Sequence, residues 1–544
     1  MSVAEQHEWL QARRSRRTVL KGGLAGAGAL LASPVIGSGI ASAQLRRRLV
    51  SKPSPLVIRH KDLAPGASVQ PFGRHVAFGL DPSTEINIGW QVPIPVNKPF
   101  VRIGTDPTEL DRVVPADMRT VVTPTSVITP LDSVPSNEPS SIEQYYLHAS
   151  ATKLDPGVTY YYVVGHGGLD PAKNPTQPVL SFTLEPRSAG IAAPFRFTAF
   201  GDQGVSYDAQ ATSRLIGGQD PAFHLHAGDV SYAESGGSGL LTDAYDPRAF
   251  DSWFQQIEAT AGRIPWMVGV GNHEMEPWYT TNGYGGQLAR FDFLGNAPSS
   301  CPVSYSFSYG NVGIIALDAN DVSYEIEANL GYTGGAQTTW LGNVCAGFRA
   351  DPAIDFIVAY FHQCAYCTCS VHGSDGGIDQ FWSPVFDQYD VDLVINGHNH
   401  IYERTDPIRG GASTTTAPIG ATISSVKYGT TYVTAGGAGK SLYSFPTGVP
   451  DSYFGNVNDD PSITSFEWEL GSSPSSPVAN PITVDWSRVR YTGYGLLVVD
   501  STPAYAGRDS RLSVRALMED GVTLIDEFSI ERRHVGSEGT GARR

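Results

Sequence analysis

A chain of 544 residues, 41% apolar and 17% charged, is too long for a single hydrophobic core and too apolar for a disordered polymer, so two or more domains are expected. Its 59 glycines and 38 prolines imply many turns and loops. The formal charge of −16 argues against a nucleic-acid-binding surface, which calls for a basic footprint.

In chain order, Arg13-Arg14-Ser15-Arg16-Arg17-Thr18-Val19-Leu20-Lys21 reads as a twin-arginine n-region. A Gly/Ala/Leu stretch comes next, and Ala41-Ser42-Ala43 before Gln44 has the small-residue pattern of a cleavage site. Residues 1–43 are therefore expected to be a signal peptide that engages the twin-arginine export machinery, which carries folded proteins. The stretch is too Gly-rich and too weakly apolar for a stable membrane anchor. That reading implies a secreted location, extracellular or periplasmic.

Residues 44–70 are basic, then proline-punctuated, and read as a linker. Residues 71–190 carry short strand patterns, HVAFGL, EINIGWQV, YYLHAS and TYYYVVG, separated by Gly, Pro and Asp. A fibronectin-III-like sandwich is expected there, its tyrosines and tryptophans filling the space between two sheets. Residues 191–534 alternate apolar runs with helical patterns such as DAYDPRAFDSWFQQIEATAG, GAQTTWLGNVCAGFRA and GIDQFWSPVFDQYD, which predicts a layered α/β domain. VSYSFSYGNVGIIALD reads as a hairpin turning at Gly310-Asn311, and residues 444–485 read as a long polar excursion. YGLLVVDS, SRLSVRALMEDG and VTLIDEFSIERR close the domain as a β meander over 490–533, and 535–544 is expected to be a disordered tail.

Five apolar runs between Phe195 and Arg404 end in a polar signature: FRFTAFGDQG with Asp202, AFHLHAGDVSYAE with Asp229 and Tyr232, WMVGVGNHE with Asn272 and His273, IDFIVAYFH with His362, and VDLVINGHNHIYER with His398 and His400. Short apolar runs before turn residues read as buried strands, and ligands gather beyond the carboxyl ends of strands in open α/β sheets. Carboxylates, a phenol, an amide and imidazoles collected at such ends are metal-binding groups. Each signature alone is weak; all of them in this order, each behind a strand-like run, are specific. An anionic substrate would then be drawn in by local metal charge and not by the overall field.

These blocks, GDQG, GDVSY, GNHE, the lone His362 after a strand, and GHNH, resemble the purple acid phosphatase family of binuclear metallophosphatases. Gly204 and Tyr232 stand where broader metallophosphoesterases carry other residues, which places the likeness in the purple branch. The resemblance covers most of residues 75–533. It implies a four-layer metallophosphoesterase sandwich behind the β domain. It also implies Fe³⁺ held by Asp202, Asp229, Tyr232 and His400, and a divalent ion (Zn²⁺, Mn²⁺ or Fe²⁺) held by Asp229, Asn272, His362 and His398, with Asp229 bridging.

The function expected from this is hydrolysis of phosphate monoesters by metal-activated hydroxide, releasing inorganic phosphate. His273 is the candidate phosphate-positioning residue, and His372, in the loop CAYCTCSVHG, the candidate phosphate contact or general acid. The alternatives are a phosphodiesterase or phospholipase on the same metals, and a non-catalytic binding protein. Glu274 and Glu403 are expected to support ligand residues, and His224 and His226 to lie in the core. In an exported protein, Cys301, Cys345, Cys364, Cys367 and Cys369 are expected to form one or two disulfides, leaving at least one thiol over.

Overall fold

The computed structural model describes residues 57–59, 69–128, 141–172, 177–187, 192–458, 462–471, 477–505 and 508–533. The segment read as a signal peptide, most of the linker and the C-terminal tail lie outside the described residues. No helix among the described residues is long and apolar enough to cross a membrane.

The N-terminal part is two facing antiparallel sheets. One holds Val57–Arg59, Asp117–Pro124, Ser141–Ala151, Ile86–Val92 and Phe72–Phe78 in spatial order; the other holds Arg112–Pro115, Phe100–Gly104, Thr159–Gly165 and Leu180–Thr183. Trp90, Tyr145, Val101 and Tyr162 fill the space between them. The anticipated strands are present. Four further strands were not foreseen: Phe100–Gly104, Arg112–Pro115 and Leu180–Thr183, whose runs of five residues or fewer give too little alternation to detect, and the eight-residue Asp117–Pro124. Val57–Arg59 adds an edge to this sandwich from within the segment read as a linker.

The sandwich is fused to the larger, C-terminal part of the chain. Phe78 packs on Phe223, Phe307 and Tyr309, Arg74 pairs with Glu258, and Asp251 accepts from Gln91 and Gln144 at 2.7 Å each. Tyr162 Oη donates to Gly262 O at 2.7 Å. These donors are paired across the joint, as buried N–H and O–H groups require, while Gln91 Oε1 and Gln144 Oε1 stay buried without a hydrogen-bond partner.

That larger part is built on two seven-stranded mixed sheets. In the first, Phe195–Phe200, Phe223–His226 and Trp266–Val268 run parallel, and the C-terminal meander Gly495–Thr502, Ser510–Met518 and Leu524–Arg532 extends the edge beside Phe195–Phe200. In the second, Val312–Ala316, Phe356–Phe361, Leu393–Asn396 and Thr431–Ala435 run parallel, with Tyr305–Tyr309 folded back on Val312–Ala316 through the hairpin at Gly310-Asn311.

Strand alternation sorts the apolar residues into three layers of contact. Phe197, Ala199 and Leu225 meet Ile314, Val358 and Ile395 between the sheets. On the outer face of the first sheet, Phe200 and Val498 pack on Ile216, Trp253 and Ile257 of the helices Tyr207–Gln219 and Arg248–Ala261. On the outer face of the second, Ile315, Ile357 and Val394 pack on Leu341, Ile378, Trp382 and Phe386. The result is helix, sheet, sheet, helix, the four layers expected.

Some elements differ from expectation. Tyr207–Gln219 was not foreseen; its weakly amphipathic sequence is started by Ser206, whose side chain accepts from Ala209 N. GIDQFWSPVFDQYD is two short helices, Gly376–Phe381 and Ser383–Gln388, because Pro384 fits a first helical turn and not a helix interior. The excursion 444–485 contains an antiparallel hairpin, Ile463–Leu470 with Pro477–Val484, whose first strand pairs with Ser374–Asp375. Its exposed alternating residues hid it among Pro, Ser and Asp. The expected disulfides are absent: all five cysteines are buried free thiols. Cys364, Cys367 and Cys369 cluster with Ile401 and Phe445 as apolar packing.

Candidate metal centre

Five parallel strands deliver the signature residues to one place. Asp202 follows Phe195–Phe200, Asp229 follows Phe223–His226, Asn272 opens the short helix after Trp266–Val268, His362 follows Phe356–Phe361, and His398 and His400 follow Leu393–Asn396. Each chain turns sharply as it leaves its sheet. Asp202, Asp229, Tyr232 and His398 all have positive φ (63°, 55°, 54° and 68°), a left-handed backbone that costs a non-glycine residue on the order of 1 kcal/mol or more. Strain concentrated on these four residues marks a site whose geometry outranks local stability.

The turns are packed so closely that side chains are excluded beside the donors. A Cβ on Gly271 would lie 2.1 Å from Asp229 Oδ1, and one on Gly397 would lie 2.5 Å from Asp202 Oδ2. The glycines in GNHE and GHNH are therefore required by the carboxylates they face. Glu274 binds the backbone of this ring together, accepting from Asp229 N (2.7 Å), Val230 N (3.0 Å) and Gly271 N (2.8 Å). Burial and the nearby Asp229 raise its pKa to about 8, although the backbone N–H groups oppose that shift.

The anticipated metal donors lie together beyond the strand ends, buried. Tyr232 Oη is 3.1 Å from Asp202 Oδ1 and 2.9 Å from His400 Nε2. His362 Nε2 is 3.0 Å from Asp229 Oδ2 and 3.7 Å from Asp202 Oδ1. His362 and His398 have ring centroids 5.0 Å apart. Ligand atoms of Asp202, Asp229 and His362 all lie within 4.8 Å of one another.

The donor chemistry fits metal ions. Three histidines each have one ring nitrogen tied to an acceptor, so the other is available as a ligand. His362 Nδ1 donates to Ala227 O at 2.8 Å, His400 Nδ1 to Ser441 O at 2.7 Å, and His398 Nε2 to Glu325 Oε2 at 2.8 Å. Asn272 Nδ2 donates to Gly237 O, which leaves its Oδ1 buried with no hydrogen-bond partner. His362 Nε2 is likewise buried and unpaired, because Asp229 lies close to it but off the N–H axis. A buried, unpaired imidazole nitrogen beside two carboxylates and a buried, unpaired amide oxygen are costly unless a cation takes them up.

The comparisons with known proteins agree. The family model for the purple acid phosphatase N-terminal domain matches residues 71–184, and that for the calcineurin-like phosphoesterases matches residues 195–402. An uncharacterized protein of Mycobacterium tuberculosis is 31% identical over 85% of this chain and 88% of its own. The chain belongs to the purple acid phosphatase family. Purple acid phosphatase 15 of Arabidopsis thaliana is 28% identical over 48% of this chain and 49% of its own. The Fe(3+)-Zn(2+) purple acid phosphatase 12 of the same plant is 26% identical over 48% and 53%. In fold, the chain is similar to the purple acid phosphatase PPD1 of yellow lupin, with TM-score 0.61 and 20% identity over 86% of this chain and 75% of that one. This purple acid phosphatase is accordingly a metal-dependent phosphoester hydrolase with a binuclear metal centre.

Of the remaining anticipated residues, His273 and His372 lie at the rim of the centre. His273 packs on Tyr232, with centroids 4.3 Å apart and the rings tilted by 47°; its Nδ1 donates to Glu234 O at 2.5 Å, and its Nε2 lies 3.7 Å from Asp229 Oδ2. Burial lowers its pKa, against the pull of Asp229. His372 lies outside the ring of donors, 4.0 Å from His398 by centroids, and its Nδ1 is 2.6 Å from Glu325 Oε1. His224 and His226 are buried beneath the centre against Phe200 and Trp266, with pKa values lowered chiefly by burial. Glu403 touches no histidine; it accepts from Thr368 N at 2.7 Å and also holds Thr368 Oγ1 and Ser487, fixing the loop that leads to His372.

Three residues at the site gave no signal in the sequence. Glu325 comes from a loop 47 residues before His372 and bridges His372 and His398. Tyr443 stacks on His400, with centroids 4.0 Å apart and an interplanar angle of 10°. The Lys440 ammonium lies 4.0 Å from the centroid of the Tyr232 ring. None sits in a motif, and only the folding of two loops over the strand ends brings them there.

Proposed function

We propose that this chain is an exported phosphatase that hydrolyses phosphate monoesters at a mixed Fe³⁺–M²⁺ centre. In this reading Asp202, Asp229, Tyr232 and His400 hold Fe³⁺, and Asp229, Asn272, His362 and His398 hold Zn²⁺, Mn²⁺ or Fe²⁺. The phenol supports the ferric assignment: an anionic oxygen beside two carboxylates suits a hard trivalent ion, whereas two imidazoles with a neutral amide oxygen suit a divalent one. The observation that carries the reading is that His362 and Asn272 each have one polar atom satisfied by protein and the other buried and unpaired, His362 Nε2 lying 3.0 Å from Asp229 Oδ2 and 3.7 Å from Asp202 Oδ1.

The bound ions would supply Lewis acidity toward the phosphoryl group and its nucleophile. The chain's own residues do the rest. His273, its Nδ1 fixed by Glu234 O, presents Nε2 to a phosphoryl oxygen. His372, its Nδ1 fixed by Glu325, presents Nε2 to the leaving oxygen, which must gain a proton as the P–O bond breaks. Glu325 ties His372 to His398 and so sets the donor's position relative to the centre. Inorganic phosphate is the product. Export rests on the twin-arginine pattern and the Ala41-Ser42-Ala43 site.

The test is kcat/KM for an aryl phosphate monoester and for the matching diester, across pH, on metal-loaded protein lacking residues 1–43. Monoester preference with an acidic optimum is the expected result. A diester preference would replace the phosphatase reading by a phosphodiesterase, and turnover of neither would end it.

A further inference from the structure

The loop from Ala435 to Ser444 is hung on the metal-binding turns by its backbone. Gly201 N donates to Ala435 O (2.9 Å), Gly436 N to Ile401 O (3.1 Å), Lys440 N to Asp202 O (3.1 Å) and Tyr443 N to His400 O (3.1 Å). His400 Nδ1 adds its bond to Ser441 O. The backbone of Lys440 is thus tied directly to the turn that carries Asp202. Its stem passes Gly204, and its ammonium rests on the ring of Tyr232, the residue against which His273 also packs.

Two features show that this lysine is poised for an anion. It is half-buried, yet it forms no ion pair with a carboxylate among the described residues. In a chain of net charge −16, a cation placed at the rim of the centre is also a local exception to the overall field. Holding a partly desolvated, unpaired ammonium there is unfavourable unless a ligand uses it.

We propose that Lys440 reads the second negative charge of the substrate, making it the residue that selects phosphate monoester dianions over diester monoanions. A monoester presents three non-bridging oxygens carrying two charges. With the phosphoryl group over the centre, one of those oxygens faces the Tyr232 side and receives the ammonium. A diester replaces that oxygen with an ester group that carries no charge and gives the ammonium only a weak acceptor. Discrimination therefore follows from leaving a half-buried cation unpaired in the wrong complex. This inference rests on the phosphatase reading, and its test separates the two.

Lys440→Met, Lys440→Arg and the unaltered protein, all metal-loaded, are assayed with an aryl phosphate and its methyl aryl diester. Lys440→Met is expected to lower kcat/KM for the monoester about 10–100-fold, the worth of a charge-assisted hydrogen bond, and to lower that for the diester far less, so the monoester/diester ratio collapses. Lys440→Arg, which keeps the charge, retains most of the ratio. Metal content and the visible spectrum stay unchanged in both; loss of either would reassign Lys440 to supporting Tyr232 and overturn the proposal. An unchanged ratio in Lys440→Met would also overturn it. If the unaltered protein turns over neither ester, the phosphatase reading fails by itself, and calorimetric binding of inorganic phosphate against dimethyl phosphate decides Lys440. A preference for inorganic phosphate that Lys440→Met weakens supports its role; no preference, or one that survives the substitution, ends it.

Discussion

His362 Nε2 stands 3.0 Å from Asp229 Oδ2, both groups buried, yet the two do not form an aligned hydrogen bond. Without metal, burial disfavours a charged imidazole, but Asp229 and Asp202 outweigh it and lift the His362 pKa to about 10, so a proton occupies the space a cation would take. Metal loading of the apoprotein is therefore expected to release protons and to raise Tm by several degrees. Asp229→Asn, which removes the carboxylate common to both proposed ligand sets, should abolish binding of both metals and lower kcat more than about 10³-fold, the scale on which removing a key charge-stabilising group acts. Metal analysis and steady-state kinetics check this; retention of two metals by Asp229→Asn would disprove the bridge.

Tyr232 carries the ferric assignment. Burial, followed by Asp202 and Asp229, pushes the phenol pKa well above its usual value, so only a strongly charged ion would stabilise the phenolate there. Loaded with Fe³⁺, the protein should show a visible charge-transfer band, and Tyr232→Phe should lose that band while keeping its fold by circular dichroism. Absorption spectroscopy decides it; an intact band in Tyr232→Phe would move the assignment elsewhere.

His372 is tested by leaving group. If its Nε2 protonates the departing oxygen, His372→Gln should slow an alkyl phosphate by about 10²–10⁴-fold and a nitrophenyl phosphate far less, since a good leaving group needs no acid. Glu325→Gln, which keeps a hydrogen bond to His372 but removes the charge, should show a weaker form of the same pattern. Equal losses on both substrates would instead assign His372 to phosphate binding.

Glu185 gives the joint between sandwich and catalytic domain a pH dependence. Its Oε1 accepts from Gly310 N at 2.7 Å, and burial raises its pKa from 4.5 to about 6 against the pull of that N–H. The folded pKa exceeds the unfolded one, so its ionisation destabilises the fold fully above about pH 6, and the effect disappears as pH falls through 6 to below 4.5. Discounted for partial solvent screening, the penalty is about 1 kcal/mol. Glu185→Gln should therefore raise Tm by about 1–2 °C at pH 7.5 and by nothing at pH 4.5. Thermal melts at both values check the sign.

The cysteines should behave as buried thiols. Burial raises the pKa of Cys345 to about 12 and that of Cys369 likewise to about 12, so few thiolates exist at neutral pH. Ellman titration is expected to find almost no reactive thiol in the folded protein and all five on denaturation without reductant. Reductant should leave Tm unchanged. Fewer than five thiols in the denatured protein would restore a disulfide.

What the sequence determined by itself was the ring of donors and the strands that carry them. Asp202, Asp229, Asn272, His362, His398 and His400 each sit within a few residues of an apolar run's end, and a buried strand pins such residues to a common sheet edge whatever the surface loops do. The layered fold was legible for the same reason, because alternation and periodicity report which face of an element is buried. The hairpin 463–484 and the helix 207–219 were not legible: their burial is slight and their stability comes from neighbours. The free thiols also ran against a reading from composition and export, since pairing depends on which side chains meet. Glu325, Lys440 and Tyr443 were decided by tertiary structure alone. They lie on loops far in sequence from the residues they serve, and no local pattern encodes a contact made by a loop crossing over a strand end.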